Sequence, residues 1–140
     1  PVAKTRPPDL DRARALADAG QLEAALTLLE RTTDERSEVD LLRAVVRQAL
    51  GDHVGAVHDA ERVLERDPAS LLARGAAAVS RAWLGDARGA ARAVAEARAR
   101  LQGMPPDGDL GDGTTVSDVT ATLRAVEARL AKRRATRRSR

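Results

Sequence analysis

Leu50-Gly51-Asp52 is the stretch to read first, because the chain repeats it. Leu84-Gly85-Asp86 stands 34 residues later, and Ala19-Gly20-Gln21 stands 31 residues earlier. A helical-looking run precedes each triplet and another follows it. An Ala falls five residues after each Gly: Ala25, Ala56 and Ala90. A unit of helix, turn and helix returning with a period near 34 predicts stacked helical hairpins that bury their apolar faces on one another.

Composition limits what those hairpins can use as a core. The chain has 140 residues, enough for one domain. Trp83 is its only aromatic residue, so Leu, Val and Ala must fill the interior. Small side chains let helix axes approach toward the short end of the usual 8–10 Å, roughly speaking. Ala, Leu and Arg favour helix, and no alternating β-branched run reads as a strand. The absence of Cys excludes a disulfide framework and a Cys-based zinc site, and it fits a reducing cytoplasm. No apolar run reaches the length of about 18 residues that a membrane span needs. The net charge of +3 hides an asymmetry: six cations lie within Lys132–Arg140, and without them 18 basic residues face 21 acidic ones. A mildly acidic folded part thus carries a basic end.

Taken in order, residues 1–8 read as a Pro-rich linker. Residues 9–131 read as the folded domain, with repeats at about 9–33, 37–70 and 71–102. Leu10, Ala13, Leu16 and Ala17 form the first apolar face, and Gly20 breaks that helix. In the second repeat Ser37 is expected to cap a helix, with Asp40 in the capping-box position. Asp67-Pro68 closes that repeat. Gly75 and Gly89 fall inside the helices of the third repeat, where each costs about 1 kcal/mol relative to Ala; a close helix crossing is the expected compensation. Six Gly and Pro residues make 103–115 a loop. Thr115 with Asp118 then signals a helix over 116–131, whose stripe Val116, Val119, Leu123, Val126 and Leu130 suits a terminal cap. Residues 132–140 read as a basic, disordered tail.

The period and the hairpin pattern resemble those of tetratricopeptide repeats (TPR). The resemblance implies an all-α, right-handed TPR helical-hairpin solenoid of three repeats plus a C-terminal capping helix. It extends further, through the first repeat at Arg14–Ala25, two Leu-Gly-Asp repeats, then Met104-Pro105-Pro106-Asp107 and Leu110-Gly111-Asp112-Gly113 leading into an amphipathic helix. That order is similar to the TPR segment C-terminal to the catalytic domain of CheR-type chemotaxis receptor methyltransferases, and covers about residues 9–131. Two departures stand out. The usual aromatic at the eleventh position of each repeat is Arg47 or Arg81, and Arg43 replaces a usual Leu. Those arginines could pack through their stems or carry charge to the groove.

Catalytic and metal chemistry find little support. Gly108 to Gly113 follows a helix and two prolines, not the strand a cofactor-binding Gly-rich loop requires. His53 and His58 are five apart and do not share a helical face. Asp107, Asp109 and Asp112 lack an oxygen donor at the fifth calcium-loop position, which is Gly111. With two His and no Cys, no nucleophilic arrangement can be assembled. We therefore expect no catalytic residue, no cofactor, no metal and no small-molecule substrate.

The concave face is the functional candidate. Leu10, Arg14, Glu38, Leu41, Val45, Gln48, Leu72, Val79 and Trp83 should line it by repeat position, as a groove for an amphipathic helix. It lacks the Lys and Asn set that holds a peptide carboxylate in chaperone-type TPR clamps. Trp83 is either an anchor in the groove or core beneath the capping helix. The resemblance implies a protein partner: a methyltransferase catalytic domain, a chemoreceptor or another signalling protein in a bacterial cytoplasm. A free-standing TPR adaptor for an unrelated complex is the alternative. A nucleic-acid role through the basic tail would want aromatic stacking platforms that the sequence lacks.

Overall fold

The turns decide the architecture. Gly51 and Gly85 adopt φ of 85° and 82°, a left-handed conformation that glycine reaches without strain. The reversal this permits lets Asp52 N donate to Arg47 O and Asp86 N donate to Arg81 O, closing the preceding helix. The same aspartates open the next helix, because the Asp52 and Asp86 side chains accept from Gly55 N and Gly89 N at 2.9 Å. One Leu-Gly-Asp triplet therefore stops a helix, turns the chain and starts another.

The computed structural model describes residues 8–33, 35–111 and 113–139. The expected linker before Pro8 lies outside them. Among the described residues there are seven helices and no strands: α1 (Pro8–Asp18), α2 (Leu22–Arg31), α3 (Ser37–Ala49), α4 (His53–Arg66), α5 (Leu71–Trp83), α6 (Ala87–Leu101) and α7 (Val116–Arg138). Consecutive helices pair as α1–α2, α3–α4 and α5–α6, and α7 closes the stack against α5 and α6. The fold is an all-α solenoid of helical hairpins of the TPR type.

Its core falls into an apolar cluster at each end and a small one between. Leu10, Ala13, Ala25, Leu29, Val39 and Val46 join the first hairpin to α3. Ala60, Val63, Ala73 and Ala77 join α4 to α5. Ala78, Ala82, Ala90, Val94 and Ala97 then meet the α7 stripe Val116, Val119, Leu123, Val126 and Leu130.

Several details differ from the sequence expectations. Ser37 is the first residue of α3 and does not cap it; Arg36 precedes the helix without a side-chain cap bond. Asp40 is drawn inward instead by Arg43 and Arg66, whose guanidinium nitrogens lie 2.5 and 3.0 Å from its carboxylate. A Cβ on Gly75 would meet nothing within 4 Å, so no close helix crossing explains that glycine. At Gly55 and Gly89 a Cβ would run into the Asp52 or Asp86 carboxylate as it stands in the cap, so a side chain there must displace it.

The basic tail is helical, not disordered, through Arg138. Ala, Lys and Arg are good helix formers and no Gly or Pro interrupts them. Cations also suit a helix C-terminus. Arg133 fixes the extension by donating from Nη1 to Ala82 O, 3.3 Å away in the last turn of α5.

Candidate functional site

Helices α1, α3, α5 and α7 face a common depression of about 420 Å³. Six of the expected groove residues line it: Arg14, Leu41, Val45, Gln48, Leu72 and Val79. Val45 carries the most informative number, because 53% of a large apolar side chain is exposed in the middle of a helix. Beside it, Gly75 leaves open space in the α5 wall. Gln48 is less free than its position suggests. Its Nε2 donates to Ala76 O at 3.0 Å and to Ser80 Oγ at 2.8 Å, tying α3 to α5.

The remaining three expected residues lie elsewhere. Leu10 is 1% exposed and belongs to the core with Ala13, Ala25 and Leu29, so it cannot touch a partner in this fold. The reason is its position at the start of α1, where the second helix of the hairpin folds back over it. Glu38 is exposed in the first turn of α3, away from the depression. Trp83 is neither core nor groove floor. It stands 54% exposed at the end of α5, one turn beyond Val79.

Two side chains meet the Trp83 ring. His53 stacks on it with centroids 5.4 Å apart and planes within 4°. The Arg129 guanidinium carbon lies 3.6 Å from the ring centroid, a cation–π contact. His53 comes from α4 and Arg129 from α7, both of which pack against α5. His53 Nδ1 is also 3.2 Å from Ser80 Oγ. His58 is exposed on the next turn of α4. Among the described residues no group of three or more His, Asp or Glu is placed to hold a metal ion. Asp109 Oδ1 accepts from Gly111 N at 2.9 Å, so this carboxylate shapes its own turn. Asp112 lies outside the described residues.

The groove has a wall that helix-by-helix reading missed. Thr114, Asp118, Val119 and Thr122 face it from α7 and the turn before it. The loop that delivers them is held tightly: Val116 N donates to Gly108 O and Ser117 N donates to Pro106 O, both at 2.9 Å. Thr115 Oγ1 accepts from Asp118 N while the Asp118 carboxylate accepts from Thr115 N, a complete capping box. Those bonds favour the charged Asp118 carboxylate and hold its pKa below the ordinary value. The signal for this wall was present as the i, i+4 pair Asp118 and Thr122, on the face opposite part of the apolar stripe.

The three arginines that depart from the TPR pattern point into the structure, not the groove. Arg43 Nε donates to Asp59 Oδ1 at 3.0 Å and Arg47 Nη1 to Asp59 Oδ2 at 2.8 Å, so two guanidinium groups bracket one carboxylate that is 1% exposed. Arg81 reaches Asp86 and Glu61. Ion pairs between α3 and α4, and between α5 and its neighbours, thus stand where an aromatic ring usually fills the repeat.

Comparison with known proteins addresses the fold. No family model matches the chain. No curated protein matches it either. Solved structures do. The crystal structure of PcrH from Pseudomonas aeruginosa aligns with a TM-score of 0.69 at 21% identity, covering 85% of this chain and 89% of PcrH. PcrH in complex with the chaperone binding region of PopD aligns at 0.68 and 23%, covering 92% and 98%. PcrH in complex with the chaperone binding region of PopB aligns at 0.65 and 18%, covering 91% and 99%. At such identities the likeness establishes a shared helical-repeat fold.

Proposed function

We propose that this chain is a protein-interaction module that takes an amphipathic helix of a partner into the groove formed by α1, α3, α5 and α7. The observation that carries the reading is Val45, a large apolar side chain left half-exposed among Leu41, Leu72 and Val79 in a concave surface. Apolar anchors at helical spacing would bury that surface. Proteins of the same fold support it, since PcrH has been crystallised with regions of PopD and PopB.

A finer reading makes the module regulatory, non-catalytic and cytoplasmic in bacterial chemosensory signalling. Its partner would then be a receptor methyltransferase catalytic domain or the helical cytoplasmic part of a chemoreceptor. The closing loop that carries the resemblance to CheR-type segments favours it. That loop folds onto the start of α7 and approaches Leu72, where a Cβ on Gly111 would sit 4.0 Å from Leu72 Cδ1. It is therefore part of the groove's surroundings.

Calorimetric titration with each of those two partners tests both levels. The finer reading expects micromolar affinity for at least one. The groove reading expects that affinity to vanish in Val45→Glu, with helical circular dichroism unchanged. A folded protein that binds neither partner removes the chemosensory reading and leaves an adaptor for another complex. Binding that is indifferent to Val45→Glu removes the groove.

A further inference from the structure

Trp83 stands one turn beyond Val79 on the same face of α5, outside the groove's lining but next to it, with its side chain half-exposed. There α7 supplies Arg129, Lys132, Arg133 and Arg137, which with Trp83 and Thr136 line a second concavity of about 630 Å³. Among the described residues no carboxylate lines it. Arg129 Nε is buried and has no hydrogen-bond partner among the described residues, its guanidinium resting on the ring. Arg129, Arg133 and Arg137 form an i, i+4 row, an arrangement of like charges that repels itself unless an anion faces it. Toward its N-terminus the same helix shows the groove Asp118 and Thr122. Along the track between α5 and α7, the lining therefore changes from apolar and acidic to aromatic and basic.

We propose that this basic face receives the Asp- and Glu-rich flank of the same polypeptide whose apolar part occupies the groove; the inference rests on the groove reading above. Charge complementarity specifies an acidic segment, and the nearness of this face to the groove places that segment beside the part of the partner bound there. A polypeptide fits better than a nucleic acid. The Trp83 ring already carries His53 stacked on it and the Arg129 guanidinium over it, which leaves less of its surface to a base. A phosphate backbone also has no use for the Leu and Val wall that leads to the site. The geometry gives the partner a direction: its apolar anchors lie across α3 and α5, and its acids lie over the α7 extension.

Trp83 is the only tryptophan, so its fluorescence reports this face directly. Four probes separate the outcomes: an amphipathic helical peptide ending in five glutamates, the same peptide ending in five glutamines, decaglutamate, and an oligothymidylate. At low salt the Glu-tailed peptide should bind about five- to tenfold more tightly than the Gln-tailed one and should change Trp83 emission. High salt should remove most of that difference. Lys132→Gln with Arg137→Gln should remove it too while leaving the Gln-tailed affinity unchanged; both side chains are exposed, so the fold is not at stake. Equal affinity for the two tails overturns the inference and leaves the groove reading intact. Decaglutamate binding as tightly as the Glu-tailed peptide sinks the groove reading and leaves the acid site standing. Tighter binding of oligothymidylate than of any glutamate probe assigns the face to nucleic acid and overturns the inference, as does a failure of every glutamate probe to bind.

Discussion

The α3–α4 and α5–α6 hairpins share a glycine turn and an aspartate cap, yet their interiors are built differently. Between α3 and α4, Arg43 and Arg47 converge on Asp59, and Arg43 with Arg66 converges on Asp40. Around α5 and α6, Ala78, Ala82, Ala90 and Ala97 let the helices meet closely, and the ion pairs of Arg81 sit further out, with partly exposed partners. Both repeats thus set ion pairs where an aromatic ring usually stands, buried in the first and partly exposed beside an alanine-rich interface in the second. The difference teaches that the repeat specifies turns and caps, while the space between its helices can be filled by unlike chemistries.

The largest effect should come from breaking the charged interior. Asp59→Ala takes away the buried anion that Arg43 and Arg47 share, leaving Arg43 to Asp40 and Arg47 to the more distant Glu30 and Asp52, and should cost about 3 kcal/mol in urea unfolding. The matching cut at Arg81 of the third hairpin, made from its partner on α4 by Glu61→Ala, removes a half-exposed carboxylate and should cost about 1 kcal/mol or less. Similar losses at the two sites would abolish the contrast. Replacing Arg43, Arg47 and Asp59 together by Met, Met and Leu should restore most of the stability, because a well-packed apolar set can substitute for a buried ion cluster. Conversely, Ala90→Leu attacks the close-packed interior, where Ala90 is fully buried. Overpacking there should cost about 1–3 kcal/mol by the same measurement.

These two interiors also mark the limit of what was legible beforehand. The triplets Leu50-Gly51-Asp52 and Leu84-Gly85-Asp86 announced the hairpins because turn chemistry is local: glycine, cap and helix stop lie within a few residues. The α7 stripe was equally readable from its spacing. Arg43 and Arg47 were not, because a periodic pattern gives a face but not the residue across from it; Asp59 sits on the next helix, 16 and 12 residues away. The tail misled for a related reason. Residues 132–138 have no apolar periodicity, and the contact that seats them, from Arg133 to Ala82 O, spans 51 residues. Six of nine groove residues could be placed by repeat position, but Leu10 could not, since an apolar residue at a helix start reads the same whether it is covered or open.

The shared caps offer a smaller perturbation that should act on both hairpins alike. Asp52→Ala and Asp86→Ala each remove the acceptor for a helix N-terminus and should cost about 1 kcal/mol. Acid adds a test specific to Asp86. The Gly89 amide and then Arg81 favour its ionised form and hold its pKa below the ordinary carboxylate value. With the folded pKa depressed, its contribution is present above the unfolded pKa and is lost as pH falls through the folded one. Asp86→Ala should therefore flatten the stability curve only below about pH 4. A parallel offset at all pH values would show that its charge plays no part.

The smallest change separates stability from function. Gly75 lies inside α5 with ordinary helical φ, and an added methyl group meets nothing within 4 Å because it enters the groove. Gly75→Ala should stabilise the fold by up to about 1 kcal/mol, since alanine favours helix over glycine. The corresponding changes at Gly55 or Gly89 should destabilise it, because each displaces a capping carboxylate. If a partner helix packs against this wall of α5, the new methyl group must also weaken its binding while the melting temperature rises. A more stable protein with unchanged affinity would mean that the partner stays on the α3 side, near Val45. Opposite shifts in stability and affinity would identify Gly75 as an interior glycine kept open for the space it leaves to another chain.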